Sequence, residues 1–230
     1  MLKTLSFVLC LLPLMGSAQQ ITSARFGGPT RAYDHAILGD GVEYTQLILR
    51  AGGRRVVIEV GAGHVFEDLA PRLADLDRDG RPEVIVVRTD MQRGASLAVY
   101  GVGGLITQTP PIGQTHRWLA PVGVGDFDGN GRVEIAYIET PHLGNVLKIY
   151  HYFSQKLVLA AAVPGFSNHR IGDNFILGGV RNCGRGDEII TADASWQRIL
   201  STTITEGRVR SRVLGSATTR RGFTRAMACR

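Results

Sequence analysis

Two nine-residue stretches of the chain carry oxygen-bearing side chains at alternating positions. Residues 75–83 read DLDRDGRPE, and residues 126–134 read DFDGNGRVE. Positions 1, 3, 5 and 9 carry the oxygens, and position 6 is glycine, which permits a sharp turn. Alternating oxygens around one centre, with a backbone carbonyl from position 7, are the ligands that Ca²⁺ prefers. The pattern predicts two structural calcium sites, with the ligands Asp75, Asp77, Asp79, Arg81 and Glu83 in the first loop and Asp126, Asp128, Asn130, Arg132 and Glu134 in the second.

The residues around these loops exclude an EF-hand. That motif needs a helix on each side of the loop and a bidentate Glu at position 12. Here the apolar run VIVV occupies residues 84–87, directly after the first loop, and IAYI occupies residues 135–138, after the second. Short apolar runs rich in β-branched residues favour strands. Each loop is therefore predicted to connect two strands.

The order of strand, DxDxDGxx[DE] and strand resembles the FG-GAP and VCBS-type repeats of integrin-like β-propellers. Residues 71–75 and 122–126 match the strand that leads into each loop, and the resemblance is looser over the rest of the chain. It implies a β-propeller in which the loops are calcium sites.

The rest of the chain reads as further short strands without a convincing amphipathic helix. The two loops begin 51 residues apart, and about four strands fill each repeat, which is typical of propeller blades. The strands are predicted in four sets: 35–39, 46–50 and 55–60; 72–75, 83–88, 96–100 and 105–108; 122–125, 133–138, 146–152 and 157–161; 175–180, 188–191, 198–204 and 209–213.

These sets predict an all-β fold, a small closed β-propeller of about four four-stranded blades. A five-bladed alternative would assemble one more blade from residues 21–26 and 222–228. A third possibility is an open stack, or a ring that another subunit completes. Closure matters because an unclosed meander leaves strand edges that can pair with neighbouring molecules.

The fourth set has lost most of the loop pattern. Counting back from Glu188 places Val180 where Asp126 stands, and Gly184 at the position of the fifth ligand. This loop is predicted to hold no metal.

The first 18 residues have the pattern of a secretory signal peptide: Lys3, an apolar run from Leu5 to Met15, and small residues before Gln19. The prediction is a periplasmic or secreted protein, with residues 19–230 as a single propeller domain and no membrane span. Only Cys183 and Cys229 would remain after cleavage, and two cysteines in an oxidising compartment favour one disulfide.

The C-terminal fifty residues are strongly basic. Residues 181–230 contain ten Arg and four acidic residues, which gives this stretch a net charge of +6. This basic stretch could meet anionic envelope polymers or lipid head groups, or it could form a solvated face. The Arg residues lack interleaved aromatic side chains, so nucleic acid is not predicted as a partner.

No catalytic set of residues stands out in the sequence. His116 and His169 open the third and fourth sets and could line a central channel together. The functional prediction is a non-enzymatic, monomeric module that presents a surface to a protein or glycan partner. The alternative is a hydrolase or lyase with its site in the channel, which would place one of these histidines within hydrogen-bond reach of a carboxylate.

Overall fold

The computed structural model describes residues 20–39 and 41–230, so the predicted signal peptide lies outside the described residues. The fold is all-β, and its sheets curl into a half-barrel. None of the helices in the described part of the chain is long and apolar enough to span a bilayer. The elements are β1 (Ile21–Thr30), β2 (Glu43–Ala51), β3 (Arg54–Glu59), β4 (His64–Phe66), β5 (Arg72–Ala74), β6 (Glu83–Asp90), β7 (Gly94–Gly101), β8 (Gly104–Gln108), β9 (Leu119–Gly125), β10 (Glu134–Glu139), β11 (Val146–Phe153), β12 (Lys156–Pro164), β13 (Phe166–Ser167), β14 (Gly179–Asn182), β15 (Asp187–Asp193), β16 (Ile199–Thr205), β17 (Arg208–Gly215) and α1 (Arg220–Met227).

The strands form four antiparallel units. The described strands lie in three sheets, of eight, four and five strands, and we divide the eight-stranded sheet into a first unit (β1–β3) and a second (β4–β8), so that the third unit is β9–β12 and the fourth β13–β17. In the second unit, β5 pairs with the start of β6 and the short strand β4 pairs with its end. In the fourth unit, β14 and the short strand β13 pair with β15 in the same way. A single backbone pairing between Tyr44 and Phe66 joins the first and second units into one sheet.

Each unit packs on the next through side chains that alternate along its second strand. On β6, Val84 and Val86 lie in the apolar cluster shared with the first unit, whereas Ile85 and Val87 lie in the cluster shared with the third. A strand covered on both faces needs apolar residues at every position, which explains the unbroken run VIVV.

The same arrangement repeats along the stack. Ile135 of β10 packs toward the second unit, and Ala136 packs toward the fourth. On β15, Ile189 faces the third unit, and Ile190 faces the C-terminal helix. A separate apolar core therefore lies between each pair of neighbouring units, and the last core lies between the fourth unit and α1.

The C-terminal helix is a difference from the sequence prediction. Residues 220–227 form α1, with Thr219 as the N-cap, and Phe223 and Ala226 are buried against the fourth unit. The five-bladed alternative is wrong in this respect, because it required residues 222–228 to form a strand. Phe223 and Ala226 are three residues apart, which suits one face of a helix.

Two predicted strands are also wrong. Residues 35–39 form a turn, in which Ala36 has a left-handed backbone with φ of 49°. Most of residues 175–180 lies in a loop, and only the last two residues belong to β14. Phe175 in that loop stacks with Arg220 of α1 at 4.8 Å, so its apolar surface is covered by the helix rather than by a neighbouring strand.

Candidate metal loops and the histidine pocket

The first acidic loop forms the corner between β5 and β6. Carboxylate oxygens of Asp75, Asp77 and Asp79 all lie within 4.8 Å of one another. The Asp75 carboxylate accepts the backbone N–H of Asp79 at 3.0 Å and that of Gly80 at 2.9 Å. Gly80 has φ of +83°, the left-handed conformation that favours glycine. The loop thus turns three carboxylates toward one point.

The other two residues predicted as ligands of the first loop have different neighbours. The Arg81 guanidinium pairs with Asp79, and this hydrogen bond lowers the pKa of that carboxyl. Glu83 lies outside the group of three carboxylates. Its Oε2 accepts the N–H of Leu76 at 3.0 Å, and burial raises its pKa. Glu83 therefore ties the loop to the core beneath it.

The second loop repeats this corner between β9 and β10. Asp126 Oδ2 accepts the N–H of Gly131 at 2.8 Å, whereas its buried Oδ1 has no hydrogen-bond partner. Asn130 Oδ1 accepts the N–H of Arg132 at 2.7 Å. Glu134 Oε2 accepts the N–H of Phe127 at 2.8 Å, as Glu83 does for Leu76. The two loops are therefore built on the same plan.

A histidine that the sequence analysis missed joins the second loop. Ligand atoms of Asp128, Glu134 and His151 lie within 4.8 Å of one another. His151 is on β11, directly opposite Glu134 in the strand pairing, and its Nδ1 is 3.1 Å from Glu134 Oε1. The signal was present in the pairing of the two strands, but not in the loop motif itself.

The donor atoms of both loops fit a hard divalent cation. The first loop offers only oxygen ligands, and three of its carboxylates converge on one point. In the second loop, the buried and unpartnered Oδ1 of Asp126 is an acceptor that lacks a donor. Buried polar atoms normally have a partner, and a cation would supply one. Bound at these corners, Ca²⁺ would neutralise the carboxylates.

The fourth loop differs from the alignment made by counting. Glu188 pairs with Arg181 across the strands, whereas Glu134 pairs with Gly125 in the third unit. The connection is two residues shorter in the fourth unit, so Asn182, and not Val180, occupies the place of Asp126. A shortened loop shifts every residue that precedes it, which counting from Glu188 could not detect.

Protein groups occupy the ligand positions of the fourth loop. Asn182 Oδ1 accepts the N–H of Gly184 at 2.9 Å, and Asn182 Nδ2 donates to Asp187 at 3.0 Å. Although burial acts to raise it, hydrogen bonds from Arg212 and Arg181 lower the pKa of Glu188 to about 2. Arginines thus balance the carboxylate at this corner.

The predicted disulfide is confirmed. Cys183 in the fourth loop is bonded to Cys229 just after α1, with their Cα atoms 5.8 Å apart. Arg181 also donates to the carbonyl of Ala226 in the helix. The bridge therefore fastens α1 to the fourth unit.

A histidine-lined pocket lies at the opposite end of β9 and β10 from the second loop. It has a volume of about 310 Å³. Leu143 and Ile171 in its wall are 65% and 78% exposed. The lining comprises His35, Ile37, His116, Arg117, Trp118, Thr140, Pro141, His142, Leu143 and Ile171.

Two of the lining histidines are paired with carboxylates. His35 Nδ1 is 2.5 Å from Oε1 of the fully buried Glu67, whose Oε2 accepts the hydroxyl of Thr89. His116 Nε2 is 2.7 Å from Asp34 Oδ1. The His35 and His116 rings are in contact, with centroids 5.2 Å apart. The buried Glu67 carboxylate orients the His35 ring, a common way of preparing an imidazole for chemistry or ligand binding, whereas the Asp34 side chain is 87% exposed.

A second pair of histidines lies beside them. His142 Nε2 is 2.8 Å from His169 Nδ1, and His169 Nε2 donates to the carbonyl of Asp173 at 2.8 Å. Burial, followed by the neighbouring His169, lowers the pKa of His142 to about 4. His142 is therefore neutral near pH 7. The structure brings His116 and His169 to the same region, where Trp118 packs edge-on against His169.

Comparison with known proteins agrees with the loop geometry. No curated protein and no solved structure matches the chain. Residues 75–137 match the family model described as the FG-GAP-like repeat. The matched segment starts at the first residue of the first loop and ends on β10, just beyond the second loop. The resemblance to FG-GAP-type repeats is thus confirmed for this segment: the chain carries an FG-GAP-like repeat that contains both acidic loops.

Proposed function

We propose that this protein is an exported, monomeric, non-enzymatic scaffold, braced by up to two structural Ca²⁺ ions, that presents a surface to a protein or glycan. The observation that carries this proposal is the convergence of Asp75, Asp77 and Asp79 at a strand corner within a segment that matches the FG-GAP-like repeat. Ca²⁺ at that corner would remove the repulsion between carboxylates and hold β6 in register.

The scaffold is an open, propeller-like stack of four units. Its first unit presents a polar outer face, on which Ser23, Arg25, Arg50 and Arg55 are exposed. At the other end, α1 covers the apolar face of the fourth unit. Stacks of repeats need polar caps at both ends to remain soluble, and these two elements serve as caps without closing a ring.

In this proposal, one end of the third unit binds calcium and the other end forms the surface that binds the partner. Residues 126–133 connect β9 to β10 at one end, where calcium would hold the strands together. Residues 116–118 and 140–143 frame the histidine pocket at the other end. Leu143 and Ile171 are apolar and exposed around a concave polar centre, which suits recognition of a partner.

Binding to glycan arrays and displayed peptide libraries, with Ca²⁺ and with chelator, tests this function. A specific partner should be captured by the wild type and lost in Ile171→Arg and Leu143→Arg. Val213→Arg is the matched control, because Val213 is an exposed apolar residue on β17, outside the pocket lining. Equal capture by the control and both pocket variants would refute the proposed surface.

The second candidate is a hydrolase or lyase that works in the same pocket. It is favoured by the His35–Glu67 and His116–Asp34 pairs, which meet the geometric requirement of a histidine within reach of a carboxylate. In this case His35 would act as a general base through the ring nitrogen that does not contact Glu67, while Arg117 would hold an anionic part of the substrate.

Hydrolase and lyase substrate panels distinguish the two functions. The enzyme hypothesis requires turnover that His35→Ala and His169→Ala remove and that His64→Ala, a change on β4 outside the pocket lining, leaves intact. The assay should run from about pH 5 to about pH 9, because this range lies on both sides of the ordinary histidine pKa of about 6.5. Absence of turnover over the whole range would reject the enzyme in favour of the scaffold.

A further inference from the structure

The second acidic loop has a nitrogen ligand that the first loop lacks. His151 Nδ1 lies 3.1 Å from Glu134 Oε1, and both groups lie within 4.8 Å of an Asp128 oxygen. The Glu134 side chain is fully buried, whereas the His151 side chain is 35% exposed. The cluster is therefore anchored in the core and open to solvent on one side.

The first loop serves as an internal comparison. There Val84 pairs with Tyr100, as Ile135 pairs with Tyr150 in the third unit. Extending this register by one residue places Gly101 opposite Glu83, where His151 stands opposite Glu134. The first loop thus has no imidazole at this position, and its converging ligands are carboxylates alone.

An imidazole changes which cation a site prefers. Ca²⁺ is bound by oxygen ligands, whereas imidazole nitrogen together with carboxylate oxygen suits Zn²⁺ and other borderline divalent metals. Zinc binds nitrogen and oxygen at about 2.0–2.1 Å, so two of its tetrahedral ligands lie roughly 3.3 Å apart. His151 Nδ1 and Glu134 Oε1 are hydrogen-bonded at 3.1 Å, so a metal ion that replaced the shared proton would need only a small change in their separation.

A further oxygen is available in the same loop. Asp126 Oδ1 is buried and has no hydrogen-bond partner, although Oδ2 of the same carboxylate accepts the N–H of Gly131. Buried carboxylate oxygens normally have a donor or a cation beside them. This unpartnered oxygen belongs to the same loop but lies outside the group formed by Asp128, Glu134 and His151, and it marks a place for a donor or a cation at this corner.

We propose that Asp128, Glu134 and His151 bind a divalent transition-metal ion of the Zn²⁺ class, so that the two loops differ in metal selectivity. The inference rests on the proposed role of the loops as metal sites. Because Asp128 and Glu134 are shared with the proposed calcium set, Zn²⁺ and Ca²⁺ should compete at the second loop. The first loop has no histidine in its group of ligands, so this competition should not occur there.

The test is titration of the full chain with Zn²⁺ and with Co²⁺, whose visible absorption reports the coordination geometry and ligand field of the bound ion. The wild type should bind one ion with an affinity that falls at least tenfold in His151→Gln and in Asp128→Asn. Asp77→Asn, in the first loop, should leave this binding unchanged. His142→Gln is the control for zinc bound in the histidine pocket, and melting in chelator establishes that each variant is folded.

The outcomes separate this inference from the general metal proposal. Calcium that still raises the melting temperature of His151→Gln, together with zinc binding lost in that variant, supports the inference. Zinc binding unchanged in His151→Gln, or lost equally in Asp77→Asn, overturns it while leaving the calcium loops intact. If neither cation affects melting or binds, both the inference and the proposed loop function fail.

Discussion

The carboxylate of Asp187 in the fourth unit accepts the backbone N–H of Asp126, the first residue of the second acidic loop, at 2.9 Å. The two residues lie in neighbouring units, 61 positions apart in the chain. A loop that is itself predicted to hold no metal thus positions a predicted ligand of the loop beside it. A hydrogen bond therefore joins the second and fourth acidic loops.

Removing this contact should weaken the second loop, and it also removes the acceptor of the Asn182 amide in the fourth loop. Asp187→Ala leaves the N–H of Asp126 without its acceptor, and a hydrogen bond to a charged group contributes about 1.5–3 kcal/mol, or about 1 kcal/mol at this partly exposed site. Urea denaturation should show this loss, and the calcium response of the second loop should decline. Glu206→Gln, on the exposed turn after β16, is the control, and an equal effect of both changes would contradict the prediction.

Calcium should stabilise the protein through both loops, and more strongly through the first. The first set carries four carboxylates and the second three. At ten times the dissociation constant, mass action adds about 1.4 kcal/mol per site. Thermal melting with Ca²⁺ and with chelator should differ by roughly 3–6 °C per site for a chain of this size.

Substitutions assign that shift to the individual loops. Asp75→Ala should remove the larger part of the calcium response, and Asp126→Ala the smaller part. The effect should fade as pH approaches about 4, because protons compete for the carboxylates. A melting temperature that chelator does not change would show that the loops are ordinary acidic turns.

Loss of the disulfide should release α1. The Cys183–Cys229 bond spans 46 residues, and the chain-entropy estimate for such a loop is about 4 kcal/mol before any strain is subtracted. The double variant Cys183→Ser/Cys229→Ser should unfold at lower urea concentration and be cut by trypsin within the helix, at Arg220, Arg221 or Arg225. Wild-type protein under non-reducing conditions is the control, and equal resistance to trypsin would contradict the prediction.

The histidine pocket should make stability depend on pH. Burial lowers the folded-state pKa of His142 to about 4, below its ordinary value of 6.5, so folding favours the neutral ring. This contribution to stability is present above pH 6.5 and is lost as pH falls toward 4, because the unfolded chain binds the proton first. For a half-buried ring, the loss is about 1–2 kcal/mol after allowance for solvent screening.

A variant isolates the effect of this residue from the other titrating groups. His142→Gln keeps an N–H donor for His169 but cannot titrate, so the difference in unfolding free energy from the wild type should change between pH 7 and pH 4. Glu188, with its pKa near 2, titrates mainly below this window. A difference that stays constant over the range would contradict the assignment.

Much of the fold could be predicted from local patterns. The runs at residues 84–87 and 135–138 do form the middles of strands, because each is covered on both faces and has no place for a polar residue. The loop motifs lie at strand corners, where glycine at position 6 permits the turn. The disulfide followed from the cysteine count. The strands and loop corners depend on a few adjacent residues and the disulfide on the number of cysteines, so the sequence determines these features by itself.

The chemistry of the sites depended on strand pairing and unit packing. His151 meets Glu134 only because β11 pairs with β10 in one register, and a shift of one residue would turn it to the other face. His35 reaches Glu67, and His116 reaches Asp34, across 32 and 82 positions of the chain. The helix likewise covers an apolar face of the fourth unit, and the shortened fourth loop is visible only in the strand pairing. Local sequence patterns carry no information on such distant contacts, because they arise only when the units stack and their shared cores form.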